Sequence, residues 1–106
     1  MPDYEVFTKE PSESFDIALD LAGALNPGSS IAAISSATAT RISTEVSVTP
    51  YVIGATTFSG TIVVFRVLSH ANIVDGDRIK ITVKVTTTDT SPESHESGLI
   101  MEVREI

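Results

Sequence analysis

Apolar residues fall on every second position in several stretches of this 106-residue chain. A period of two belongs to a strand with one covered face and one wet face. From Ser14 to Leu21, Phe15, Ile17, Leu19 and Leu21 alternate with Asp16, Ala18 and Asp20. The most regular stretch is Arg78 to Thr87, where Ile79, Ile81, Val83 and Val85 are expected to face in and Lys80, Thr82, Lys84 and Thr86 to face out. Leu99, Met101 and Val103 repeat the pattern at the end of the chain. Tyr4 to Lys9 reads as a short strand closed off by Pro11, which cannot donate to a ladder. Ile42 to Val48 reads as a strand with Ile42, Thr44, Val46 and Val48 on one face. Ile31 to Thr40 is small and Ala/Ser-rich, so its pattern allows a strand or a helical turn. Pro50 ends the Ile42–Val48 strand, and Tyr51 to Ser59 reads as a loop or short irregular strand. Thr88 to Ser97 reads as a polar loop. Asn26-Pro27-Gly28-Ser29-Ser30 and Val74-Asp75-Gly76-Asp77 are turns, with Gly supplying the positive φ.

Thr61 to Leu68 breaks the alternation. Ile62, Val63, Val64, Phe65, Val67 and Leu68 are apolar on both parities. Such a run suits a central strand covered on both sides, or one partly hidden by a neighbouring subunit. A two-sheet domain has one shared interior. The outward parity, Ile62, Val64 and Leu68, therefore needs a covering segment or a partner, and Tyr51–Ser59 is the one available cover. These three residues are the candidate interface.

About seven short strands separated by turn residues predict an all-β fold: a single antiparallel β-sandwich, immunoglobulin-like, spanning residues 1–106. Composition agrees. Val and Ile occur eleven times each and Thr thirteen, against five Leu, and β-branched side chains favour a pleated surface over a helix. The Cys and Trp hallmarks of true immunoglobulin domains are missing, since the chain contains neither residue. With 14 acidic and 7 basic residues the formal charge is -7, which leaves no basic patch for a phosphate backbone and argues against nucleic-acid binding. No apolar run approaches the roughly 20 residues of a membrane-spanning helix. The acidic start lacks a signal-peptide pattern, so synthesis in the cytoplasm is expected.

Candidate chemistry is sparse. Hydrolytic catalysis needs a nucleophile, a base and an orienting acid. His70 and His95 lie in loop-like stretches beside Ser69, Ser94 and Ser97, but thirteen serines make such neighbours a matter of chance. Asp16 and Asp20 stand about 13 Å apart along a strand, too far to share a metal. Asp75 and Asp77 could offer oxygens to calcium, although Asp-Gly is also a common turn dipeptide. Glu93, His95 and Glu96 could form a zinc or proton-sensing patch, or simply a wet hairpin tip. Tyr4, Tyr51 and Phe58 could form a platform for a sugar, with core filling the simpler role for Phe15, Phe58 and Phe65. The residues thus predict no catalytic, metal or cofactor site.

Lys9-x-Pro11-x-Glu13, followed by Asp16-x-x-x-Asp20, Leu25, Gly28 and Ile31, resembles the opening of a family of small β-sandwich structural proteins encoded among the virion genes of tailed phages and prophages. Asp75-Gly76-Asp77-x-Ile79-x-Ile81-x-Val83-x-Val85-x-Thr87 is similar to that family's turn and regular strand. Leu99-x-Met101-x-Val103-Arg104-Glu105 is similar to its last strand and charged tail. The resemblance implies a non-enzymatic virion component, at the head–tail connection, on the capsid surface or in the tail. It would be made in the host bacterial cytoplasm and bound to other virion proteins or to copies of itself, without cofactor, membrane or nucleic-acid partner. The competing expectation is an immunoglobulin-like bacterial adhesion or carbohydrate-binding module.

Overall fold

The computed structural model describes residues 5–23, 25–89 and 92–105. Strands account for 58% of it and helix for 4%, as the β-branched composition demands. In chain order the elements are β1 (Glu5–Lys9), β2 (Phe15–Asp20), β3 (Ile31–Arg41), β4 (Val46–Ser47), α1 (Thr49–Val52), β5 (Ile53–Ser59), β6 (Ile62–Val67), β7 (Arg78–Thr87) and β8 (Ser94–Val103). They form a five-stranded sheet, ordered β1-β8-β7-β3-β4, and a three-stranded sheet, ordered β2-β6-β5. Among the described residues every pairing is antiparallel except that of β1 with β8, which is parallel and aligns Glu5 with Leu99 and Lys9 with Val103.

Both sheets turn apolar rows onto one core. Val63, Phe65 and Val67 of β6, Ile79, Ile81, Val83 and Val85 of β7, and Met101 and Val103 of β8 have no exposed surface. The alternation read at Phe15–Leu21 and Arg78–Val85 therefore has the expected facing, since a pleated strand sends successive side chains to opposite sides.

Two local expectations need correction, and two stretches with alternative readings turn out to be strands. The Ile42–Val48 strand is absent: β3 runs on to Arg41, residues 42–45 turn back with Glu45 at φ 56°, and β4 is two residues long. Ile42 and Val46 are exposed and Val48 is buried, so no common face forms. The Ala/Ser-rich stretch is a long strand whose alternation is concealed by register shifts between Ile31 and Ala33 and between Ile34 and Ser36. Each extra residue at a bulge inverts the parity downstream, which puts Ile34, Ala37 and Ala39 opposite Val85, Val83 and Ile81. Of the two readings of Tyr51–Ser59, the short irregular strand holds: Ile53–Ser59 is β5, with a register shift between Ile53 and Thr56, while Tyr51 and Val52 end α1. Pro50 sits in the first turn of α1, where its fixed φ suits a helix start. Finally, β8 begins at Ser94, so the last four residues of the expected Thr88–Ser97 loop are strand.

The two turns form as their residues require. Gly28 (φ 84°) and Gly76 (φ 94°) adopt the left-handed backbone that other residues reach only at a steric cost. Ser29 N donates to Asn26 O (2.9 Å), and Asp77 N to Val74 O (3.1 Å).

Candidate functional site

β6 is the middle strand of the three-stranded sheet, and its register defines the outward surface. Ile62 lies between Asp20 and Ser59, Val64 between Ala18 and Thr57, and Arg66 beside Asp16. Asp16, Ala18, Asp20, Thr57, Ser59, Ile62 and Arg66 are all exposed, and Val64 is half-buried. Ile62 keeps 39% of its surface in water. β5 runs beside β6 as its hydrogen-bonded neighbour, so Tyr51–Ser59 flanks the face instead of covering it. The exception is at Gly54, where a Cβ would stand 3.0 Å from Leu68 Cδ2 and 3.3 Å from Arg66 Cβ. Leu68 is thus walled in by the chain passing Gly54.

The three candidate residues share the outward row but not one patch. Arg66 lies between Val64 and Leu68 and pairs with Asp16 at 3.2 Å. The apolar surface proper is Ile62 and Val64, with Ala18 and Thr57 on either side of Val64. At its end Asp20 Oδ1 accepts hydrogen bonds from Ala22 N (2.9 Å) and Thr61 Oγ1 (3.0 Å). Asp16 and Asp20 consequently serve separate partners and do not converge.

The other candidates are structural ties. Asp75 Oδ1 accepts from Glu105 N (2.8 Å), and Asp77 Oδ2 from Val74 N (2.9 Å). Arg41 Nε lies 3.4 Å from Asp77 Oδ1, and the same guanidinium donates to Asn72 O through Nη2 (2.6 Å). The two aspartates therefore pin the turn from different sides, and among the described residues no three metal-binding side chains converge. His70 stacks on Tyr51 (centroids 4.2 Å apart) and its Nδ1 accepts from Asn72 N. His95 is on β8 rather than in a loop, opposite Val85. Its Nε2 is 3.0 Å from Glu93 Oε1, which Asn26 Nδ2 also approaches at 3.1 Å. Glu96 follows His95 on the strand and so points to the other face, opposite Lys84, leaving a pair rather than a cluster. Tyr4 lies outside the described residues. Tyr51 belongs to α1, where it stacks on His70, and Phe58 lies near the far end of β5, so they make no joint platform. Phe58 is 41% exposed and does not fill the core as expected, whereas Phe65 does.

Two arrangements had no signal in the sequence. Ser29 Oγ donates to Asp89 Oδ1 (2.5 Å) and Thr87 Oγ1 to Asp89 Oδ2 (3.0 Å), tying the turn before β3 to the end of β7. Hydrogen bonds from Ser29 first, then from Thr87, hold the Asp89 carboxyl below its ordinary value, because they favour the charged form. The second is a groove of about 300 Å³ between β1 and β2. It exists because β1 pairs in parallel with a strand almost the whole chain away, which no local pattern announces.

The chain matches no protein-family model, no curated protein and no solved structure. Its class, two β sheets on one core, rests on the geometry alone.

Proposed function

We propose that the chain is an immunoglobulin-like structural subunit of tailed-phage or prophage particles, non-enzymatic and acting through protein–protein contacts. The strand order supports the fold reading. β8-β7-β3-β4 against β2-β6-β5 has the arrangement of the G-F-C-C′ and B-E-D strands of a variable-type immunoglobulin domain. β1 lies alongside the last strand. The family resemblance in the turn and strand motifs supports the virion setting, with synthesis in the host cytoplasm.

The observation that carries the reading is the apolar pair of exposed Ile62 and half-buried Val64 on the outward face of the central strand of a small sheet. Contiguous apolar surface left in water is a mark of interaction sites. Neighbouring virion proteins or further copies of the chain would supply the cover. Val64→Asp tests it. The variant should keep its circular dichroism spectrum and solubility yet be lost from particles purified out of an induced lysogen carrying the gene. Incorporation at the wild-type level would refute the interface. Failure to fold would mean that the face is internal, and would refute it equally.

A further inference from the structure

A separate surface, at the opposite edge of β2, carries an inference that does not depend on the virion reading. The two sheets are unequal, three strands against five, and the shortfall lies beside β2. Within the small sheet the inward residues of β6 have no exposed surface, whereas those of its neighbour β2, Phe15, Ile17 and Leu19, are each half-exposed. Across the gap Phe7 of β1 reaches Phe15 edge to face, with centroids 6.3 Å apart and rings at 78°. Between them runs the 300 Å³ groove, floored by Phe7, Phe15, Ile17, Leu19 and Leu99. Among the described residues β2 pairs with β6 on one side and with nothing on the other. Its outer row of backbone N–H and C=O groups is therefore available to an added strand.

We propose that this groove docks one extended segment of a basic partner protein, with branched apolar side chains at alternate positions and Lys or Arg between them. An incoming strand on β2 would place every second side chain over the apolar floor, because strand side chains alternate. The intervening side chains would lie beside the outward row of β2, which is Asp16, Ala18 and Asp20. Asp16 already has Arg66, but Asp20 takes hydrogen bonds from neutral donors and has no ion pair among the described residues. Glu5 adds a third carboxylate where the groove opens past Leu19 and Asp20. Opposite charges on facing strand positions attract and like charges repel. The same rule disfavours a second copy, whose own β2 would set carboxylates against carboxylates. The six residues of β2 correspond to a ligand strand about 20 Å long.

The test uses a capped heptapeptide in which lysine alternates with isoleucine and valine, titrated into isotope-labelled protein. A second peptide has glutamate for lysine, and a third has the same composition with its lysines grouped at one end. The alternating lysine peptide should shift amides of residues 5–8 and 15–20 and bind about tenfold more tightly than the other two. Asp20→Asn, which keeps the oxygen acceptor, should weaken it about threefold to fivefold, the scale of one solvent-facing charge pair. Ala18→Lys, at an exposed position, should weaken the lysine peptide and strengthen the glutamate one. The proposal is overturned if the lysine peptide produces no shifts, or if lysine and glutamate peptides bind alike. It is equally overturned if the shifts fall on β5, or if the chain alone dimerises through the same amides.

Discussion

Ile81→Ala and Ile17→Ala form a pair that separates the geometry from the pattern. Both isoleucines hold inward positions on alternating strands, so the sequence pattern treats them alike. Ile81 has no exposed surface. It lies in β7 between Leu99 of β8 and Ala39 of β3, in the middle of the larger sheet. Removing three carbons there costs about 0.8 kcal/mol each in transfer free energy, and hydrogen-bonded strands on both sides resist collapse, so a cavity contribution adds to it. The total comes to about 3–4 kcal/mol. Ile17 faces the open groove, where water can enter and no closed cavity forms, so a loss of about 1–1.5 kcal/mol is expected. At about 4–8 °C per kcal/mol for a domain of this size, the melting temperature should fall at least twice as far for Ile81→Ala. Urea unfolding at unchanged m-value gives the comparison directly. Lys84→Ala, on the exposed side of β7, is the control and should stay within about 0.5 kcal/mol. Equal losses at positions 17 and 81 would mean that the side beside β2 is closed and that no groove opens there.

Two further outcomes follow from the side-chain ties. Calcium or a chelator should leave the melting temperature unchanged, because Asp75 and Asp77 are engaged with Glu105 N, Val74 N and Arg41. A rise with calcium that disappears in Asp77→Asn would reveal a site, since a ligand specific to the native state must stabilise it. Asp89 should titrate below the ordinary aspartate value of 3.8, and Ser29→Ala should move it back toward that value in a carbon-detected NMR titration. A depressed carboxyl contributes stability that is present above the unfolded-state value and lost as pH falls through the folded-state one. The stability gap between wild type and Ser29→Ala should therefore shrink on acidification below 3.8. A gap constant across that range would refute the assignment.

What the sequence made legible is what alternates. β2, β7 and the end of β8 could be read with their facing because each keeps one register along its length. β3 could not, because two bulges shift its parity, the first of which leaves Ile31 and Ile34 on the same side at an odd spacing. The Ile42–Val48 stretch misled for the opposite reason: a period of two occurs there by chance in a turn, which Glu45 closes with a positive φ that nothing in its residue type announces. The outward face of β6 was visible as a doubly apolar run, yet the division of that face by Arg66 and Asp16 depends on the pairing of β2 with β6. The groove beside Phe7 and Phe15 depends on the parallel partner of β1. Pairings between distant strands are set by the closure of the whole core, and local propensity carries no record of them.

The way the edges β4, β5 and β2 are protected bears on how the groove could discriminate. β4 is too short to template another chain, being two residues long. β5 carries no charge but breaks its register between Ile53 and Thr56, and a bulge of that kind spoils edge pairing. β2 has neither device. It is six residues in regular register with β6, and its protection is Asp16 and Asp20. Charge is a selective guard where shortness and bulges are indiscriminate. It repels other copies of a chain whose net charge is -7, and it attracts a strand of opposite sign. Specificity is a difference between affinities, and a repulsive element contributes to that difference as much as an attractive one. Neutralising both aspartates should accordingly widen the range of strands that β2 accepts, copies of itself included, more than it weakens the best one.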